Sequence, residues 1–158
     1  MQNKILQAVL ENRYELYREY IQALGMPRML ESELRELVDK MSILPCYKWI
    51  PIQDENGFLI IGTAPECHPD CDYFIVETFL RKEFRGKSIM ADAVKRFVKS
   101  HKGTYCLWIL DKNHYAKKFW HHIFTDVGYR LKDLKVIPNT FDQSICKQYG
   151  YEPDTVKE

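Results

Sequence analysis

Residues 78–90 read Thr-Phe-Leu-Arg-Lys-Glu-Phe-Arg-Gly-Lys-Ser-Ile-Met, and a helical pattern follows at once. An apolar strand here runs into a short basic turn, and the turn opens a helix. Such a turn directs several backbone N–H groups towards one point at the positive end of a helix dipole. Arg85 and Lys87 add positive charge. The stretch therefore predicts a binding site for an anion, and a pyrophosphate is the expected ligand.

Apolar periodicity on either side of this turn predicts a mixed chain of helices and strands. Helices are expected over residues 4–24, 29–41, 86–101 and 113–124. Strands are expected over residues 47–53, 58–62, 73–80, 104–110 and 130–137. A hairpin turn is predicted between the first two strands, with Asn56-Gly57 able to take positive φ. The tail after Pro138 is ambiguous, although its aromatic residues suggest that it packs against the rest of the chain.

The predicted order is therefore α-α-β-β-β-α-β-α-β, which belongs to the α/β (α+β) class. The strands that flank the helix after Gly86 are expected to be parallel neighbours in a right-handed βαβ unit. The hairpin ahead of that unit makes the sheet mixed. Neither GxGxxG after a first strand nor GxxxxGK[ST] is present, which excludes the dinucleotide and P-loop interpretations.

Composition narrows the class of protein further. A chain of 158 residues is expected to form one domain, and a balance of 23 basic against 22 acidic residues argues against binding nucleic acid through a broad basic face. No apolar run reaches the length of a membrane span, so we expect a cytoplasmic protein. Five cysteines are an odd number, and reduced thiols are expected. Cys67-His68-Pro69-Asp70-Cys71 lacks a second ligand pair, so a zinc site is not favoured.

Two motifs together resemble the GNAT superfamily of acyl-CoA-dependent N-acetyltransferases. The first is Arg/Gln-x-x-Gly-x-Gly/Ala at a strand-turn-helix, here Arg85-Gly86-Lys87-Ser88-Ile89-Met90. The second follows the next strand and reads Asn113-x-x-Ala116, Phe119-Trp120 and Gly128-Tyr129. The resemblance covers residues 47–137, and the order and separation of the motifs make it more specific than either alone.

The resemblance implies a mostly antiparallel central sheet with a splayed parallel strand pair and helices on both faces. It also implies acetyl-CoA as cosubstrate, with the pyrophosphate on the turn amides of residues 85–90. The pantetheine arm would bond to the backbone near Phe79 and Leu80 and would touch Asn113, beside Ala116 and Trp120. Residues 1–44 would form the acceptor side, 45–137 the CoA-binding core and 138–158 a C-terminal extension. Members of the family often form homodimers.

The sequence departs from the family pattern at three positions. Ser88 and Met90 stand where the family commonly has glycine, which lets the backbone approach phosphate closely. Trp120 stands where many members have a tyrosine that protonates the departing thiolate, and an indole N–H is not a useful acid. Tyr115 is one of several nearby groups that could take this role, together with His114, His121 and Tyr129.

The implied reaction is attack of a primary amine on the thioester, and it needs a base because such amines are protonated in water. Glu77 is the candidate, since an acidic residue within Tyr-Phe-Ile-Val-Glu-Thr-Phe-Leu is costly to bury without a purpose or a partner. An exposed carboxylate or one paired with an arginine is an equal alternative. Two other functions remain open: a GNAT-like module that binds acyl-CoA without efficient catalysis, and an interaction protein that docks a partner on its N-terminal helices.

Overall fold

The computed structural model describes residues 2–25, 29–63, 67–137 and 146–155, with side chains from residue 6 onwards. The helices in these ranges are α1 (Gln2–Ala23), α2 (Glu31–Ile43), α3 (Ile89–Ser100) and α4 (His114–Asp126), with a short 3-10 helix at Lys82–Phe84. The strands are β1 (Tyr47–Ile52), β2 (Gly57–Thr63), β3 (Tyr73–Leu80), β4 (Tyr105–Leu110), β5 (Tyr129–Ile137) and β6 (Cys146–Pro153). Within the described ranges, no helix combines the length and hydropathy that a bilayer crossing requires.

The six strands form one mixed sheet in the order β1-β2-β3-β4-β6-β5. Every neighbouring pair is antiparallel except β3 and β4, which confirms the predicted βαβ unit. The parallel pair is short, because its register covers three residues of each strand and ends at Ile75 opposite Leu107. Beyond that point the two strands separate, so the splayed pair implied by the resemblance is present.

The ambiguous tail supplies an interior strand of the sheet. β6 lies between β4 and β5 and pairs antiparallel with both. Its sequence, Cys-Lys-Gln-Tyr-Gly-Tyr-Glu-Pro, contains glycine, proline and charged residues that are depleted in strands, which is why its pattern is weak. Pairing on both sides, rather than intrinsic propensity, stabilises this strand.

Helices cover the two faces of the sheet and create two buried clusters. On one face α3 and α4 pack against the sheet through side chains such as Ile75, Val94, Leu107, Ile123 and Phe124. On the other face α1 and α2 pack through side chains such as Leu16, Tyr17, Val38, Phe58 and Ile60. Each large apolar side chain buried in this way contributes about 1.5–3 kcal/mol. Most of the described aromatic side chains belong to these two clusters or pack against them.

The β1–β2 hairpin turns differently from the prediction. Positive φ occurs at Gln53, Asp54 and Glu55, not at Asn56-Gly57. Gly57 instead begins β2, where a Cβ would lie 2.5 Å from the backbone oxygen of Phe79. The glycine therefore serves the close approach of β2 and β3, a requirement that the local turn pattern does not reveal.

The prediction of five reduced thiols is also wrong for two of them. Cys71 and Cys106 are joined by a disulfide, with Cα atoms 6.1 Å apart, while Cys46, Cys67 and Cys146 are free. The cause is topological, since the parallel pairing of β3 and β4 brings Cys106 beside a residue 35 positions earlier. His68 lies against the same pair, with all three ligand atoms within 4.8 Å of one another.

Candidate functional site

A cleft of about 740 Å³ lies along the last residues of β3, on the stretch that no longer pairs with β4. Its walls come from the end of α1, the last residues of β3, the basic turn and the first turns of α3 and α4. Most of the sequence-predicted residues border it: Phe79, Leu80, Arg85, Gly86, Ser88, Ile89, Met90, Asn113, Tyr115, Ala116 and Trp120. Glu77 and Lys87 do not border the cleft.

Next to this cleft, β3 and β4 do not pair with each other. Along β3 the last residues pair with β2, and along β4 Trp108–Leu110 pair with β6. A bulge at Val76 shifts the register of β3, since Ile60 lies opposite Glu77 while Ile61 lies opposite Ile75. Bulges bend a strand and increase its twist. The bulge coincides with the point at which β3 leaves β4, so this edge of β3 can accept an extended ligand.

The basic turn is built from two residues in the left-handed conformation. Gly86 has φ +77°, and Ser88 has φ 61° and ψ 13° immediately before α3 begins. The Ser88 side chain does not cap the N-terminus of α3, so the first N–H groups of the helix remain available to an anion. Ser88 thus adopts the conformation that glycine takes without cost, at the position where the family pattern has glycine. Met90 both borders the cleft and packs against the core.

Arg85 is held at the cleft by two contacts. Its Nε donates to the backbone oxygen of Leu80 at 2.7 Å, and its guanidinium lies 5.5 Å from the centre of the Phe79 ring. The contacts fix the charge beside the turn while leaving other guanidinium N–H groups for a ligand. Lys87, by contrast, is exposed and does not contribute to the lining of the cleft.

The second motif forms the start of α4. The Asn113 side chain accepts a hydrogen bond from the Ala116 N–H at 3.0 Å and so caps the helix. Tyr115 is 80% exposed, whereas Trp120 is 6% exposed and packs in the core while still lining the cleft. The phenol of Tyr115 is therefore accessible to a ligand, and the indole of Trp120 is part of the wall.

Glu77 lies on the α1 side of β3, away from the cleft lining. Burial raises the pKa of its carboxyl from 4.5 to about 7, and hydrogen bonds from the phenols of Tyr17 and Tyr20 partly oppose that rise. Its Oε2 is buried without a partner among the described residues. Neither alternative from the sequence applies, because the carboxylate is not on an exposed strand face and its partners are phenols.

The resemblance assigns residues 1–44 to the acceptor side, but sequence reasoning named none of the α1 residues that border the site. Tyr20, Ala23 and Leu24 border the cleft, and Tyr17 and Tyr20 contact Glu77. The two tyrosines are three positions apart, which places them on one face of a helix. That spacing was a usable signal, but aromatic residues on an apolar helical face are ordinarily core.

An ion pair fixes the end of α1 beside the cleft. Arg81, which follows β3 directly, binds the Glu19 carboxylate through Nη2 at 2.6 Å and Asn56 Oδ1 through Nη1 at 2.8 Å. The Arg81 N–H also donates to the Asn56 backbone oxygen at 2.9 Å. Helix α1, the hairpin and the end of β3 are thus joined at one point, and Tyr20 is the next residue after Glu19.

Solved structures with the same fold include known acetyltransferases. The chain is similar to an acetyltransferase from Thermus thermophilus, at 16% sequence identity and a TM-score of 0.59 over 89% of this chain and 87% of that one. It is similar to spermidine N-acetyltransferase from Vibrio cholerae in complex with CoA and spermine, at 14% identity and a TM-score of 0.58 over 89% and 88%.

A further similar structure is a protein from Desulfovibrio desulfuricans described as a putative acetyltransferase of the GNAT family, at 13% identity and a TM-score of 0.57 over 88% of this chain and 91% of that one. No protein-family model matches the sequence, and no curated protein matches it significantly. The chain has the fold of the GNAT superfamily, as the two motifs predicted.

Proposed function

We propose that this protein is an N-acetyltransferase that transfers an acetyl group from acetyl-CoA to a primary amine of a small molecule or a protein. One observation carries the proposal: the uncapped start of α3, the free edge of β3 and the start of α4 meet in one cleft. Those are the three features that a ligand with a pyrophosphate and an amide-containing arm requires. The bound CoA of a similar structure supports the same ligand.

In this proposal the pyrophosphate binds at residues 85–90, with Arg85 and the N–H groups at the start of α3. The pantetheine amides pair with the β3 backbone near Phe79 and Leu80, as an added strand would. The thioester then points towards the end of the cleft that α1 forms. Residues 1–44 supply the acceptor side in this arrangement, and 45–137 supply the CoA-binding core.

Catalysis in this proposal begins with loss of a proton from the acceptor ammonium. Glu77 is the base, since a carboxyl with a pKa of about 7 is ionised in part at neutral pH and still takes up a proton readily. The neutral amine attacks the thioester carbonyl, and backbone N–H groups at the splay stabilise the oxyanion. The C–S bond then breaks, and the CoA thiolate leaves with protonation from solvent or from the exposed Tyr115.

One observation favours a second candidate, a module that binds acyl-CoA with little catalysis. Trp120 is buried where many members of the family carry an acidic phenol, and its indole offers no proton to a thiolate. In this alternative the cleft retains acetyl-CoA, and no acceptor amine releases CoA at an appreciable rate.

Two measurements separate the candidates. Isothermal titration with acetyl-CoA is expected to show binding at micromolar ligand, and absence of binding at high micromolar ligand contradicts both. Release of free thiol with a panel of amines then decides between them. We expect turnover in the wild-type protein, with Glu77→Gln slower by about 100-fold, which is within the usual range for loss of a general base. Full turnover of Glu77→Gln across pH would remove Glu77 from the mechanism.

A further inference from the structure

Glu77, the candidate base, does not itself border the cleft. Glu77 belongs to the α1 side of β3 and is not among the residues that line the cleft. Tyr20 lines the cleft, and its ring packs 5.6 Å from Phe79, which lies on the same face of β3 as Glu77. Of the lining residues, Tyr20 is the one whose phenol helps to hold the Glu77 pKa down. A proton that leaves an acceptor in the cleft can therefore reach the carboxylate through Tyr20.

The Tyr20 ring is held firmly in that position. Its centroid lies 5.4 Å from Tyr17, 5.4 Å from Phe58 and 5.6 Å from Phe79. Residues on α1, β2 and β3 thus pack around one ring, and the Glu19–Arg81 ion pair fixes the neighbouring turn of α1. Aromatic packing of this kind leaves a side chain little rotational freedom.

We propose that Tyr20 is a catalytic residue that relays a proton from the acceptor ammonium to Glu77. This inference rests on the proposed acetyltransferase function. In the step, an N–H bond of the ammonium breaks and its proton bonds to the Tyr20 oxygen. The phenolic proton of Tyr20 passes at the same time to the neighbouring Glu77 carboxylate. The products are a neutral amine, an unchanged phenol and a protonated Glu77 carboxyl, so atoms and charge balance.

The relay must be concerted, because Tyr20 does not ionise by itself near neutral pH. Burial and the neighbouring Glu77 charge raise the pKa of Tyr20 well above its usual value of 10.0. Tyr17 and Tyr20, both from α1, are the titratable groups that act on the Glu77 pKa among the described residues, and β2 places Ile60 opposite. No cation in that set competes for the carboxylate.

Tyr17 supplies a matched control. It is a phenol of α1 that also lowers the Glu77 pKa, but it is buried and does not border the cleft. Removing either hydroxyl deletes one interaction that lowers the Glu77 pKa. Removing the Tyr20 hydroxyl alone interrupts the path to the cleft.

The kinetic test compares Tyr20→Phe with Tyr17→Phe, using acetyl-CoA and the best amine of the panel. We expect kcat of Tyr20→Phe to fall about 100-fold with KM within about threefold, because only proton transfer is lost. Tyr17→Phe should keep kcat within about fivefold, with the acid limb of its pH profile moved to higher pH. Equal losses in the two variants, or an unchanged kcat in Tyr20→Phe, overturn the relay.

A spectroscopic test needs no turnover. Carboxyl carbon-13 NMR of glutamate-labelled protein, with Glu77→Gln used for assignment, follows the Glu77 titration with and without saturating acetyl-CoA. Bound acetyl-CoA excludes water from the Tyr20 hydroxyl, which then donates more fully to the carboxylate and lowers its pKa. On binding, the Glu77 pKa should therefore end lower in the wild type and in Tyr17→Phe than in Tyr20→Phe, relative to each unliganded protein, because in Tyr20→Phe only the charge and the desolvation from the ligand act. The same pKa change in the wild type and in Tyr20→Phe overturns the relay even if acetyl-CoA binds. Failure of acetyl-CoA to bind the wild type overturns the proposed function and the relay together.

Discussion

The basic turn over residues 85–90 and the cluster of Glu77, Tyr17 and Tyr20 lie on either side of the last residues of β3, yet they are built differently. The turn is exposed and continuous in sequence, and it offers an anion the N–H groups of its backbone. In the cluster Tyr17 is buried, while Tyr20 and Glu77 are half-buried. The cluster joins β3 to α1, and it acts through side chains. A site made from backbone leaves a local signal in the sequence, whereas a site made from distant side chains leaves almost none.

The two regions also carry different kinds of cost. The turn holds Ser88 at φ 61°, a conformation that costs an L-residue about 1–2 kcal/mol, but its polar groups stay in contact with water. The cluster holds a carboxyl whose Oε2 has no partner in the described part of the chain, so its cost is desolvation. Strain in the first region is independent of pH, and the cost in the second depends on it.

The largest effect that tests this difference is the pH dependence of stability at Glu77. The folded pKa of about 7 lies above the ordinary value of 4.5, so the folded state holds this proton more tightly than the unfolded state does. The stabilisation is therefore complete below about pH 4.5 and is lost as pH rises through 7. From about pH 5 to about pH 8, urea unfolding should show Glu77→Gln gaining about 2–3 kcal/mol relative to the wild type.

The matched control for this experiment is Glu83→Gln, which removes an exposed carboxylate near the other region. Its free energy of unfolding should follow that of the wild type across the same pH range. If the Glu77→Gln curve also runs parallel to the wild type, Glu77 is not desolvated and the contrast between the regions disappears.

The sequence predicted the elements of the turn region closely. β3 occupies the predicted residues 73–80, and the turn, α3, β4 and α4 follow within three residues of their expected bounds. Each of these elements combines strong apolar periodicity with a local stop or start signal, such as Gly86 or the Asn113 cap. The sequence signals that predict these elements each lie within a window of about 11–18 residues.

The parts that sequence reasoning missed all depend on contacts between distant segments. Two neighbouring strands stabilise β6. The parallel pairing of β3 and β4 brings Cys71 and Cys106 together. The packing of α1 on β3 brings Tyr20 close to Glu77. Spacing along the chain cannot show which strand will lie beside which. Glu77 was found because a carboxylate in an apolar strand is unusual at any register.

The next effect concerns the backbone of the turn. Gly86 has φ +77° with nothing within 4 Å of the position of a Cβ, so a substitution there acts through conformation alone. Gly86→Val should weaken acetyl-CoA binding about 10- to 30-fold, since a β-branched residue strongly disfavours this conformation. Gly86→Asn should bind within about threefold of the wild type, because asparagine enters the left-handed region readily. Isothermal titration measures both, and equal losses would mean that side-chain bulk rather than backbone conformation governs the turn.

The smallest effect is expected at Ser88, and it acts on stability instead of binding. Ser88→Gly removes the left-handed strain without deleting a capping bond, because the Ser88 side chain makes none. We expect a gain of about 1 kcal/mol, which corresponds to roughly 2–4 °C in Tm for a chain of this size. Ser88→Ala keeps the Cβ and therefore the strain, and its Tm should stay close to that of the wild type. A Tm for Ser88→Gly at or below that of Ser88→Ala would show that the flexibility of glycine in the unfolded chain outweighs the strain, and that the turn tolerates serine at little cost.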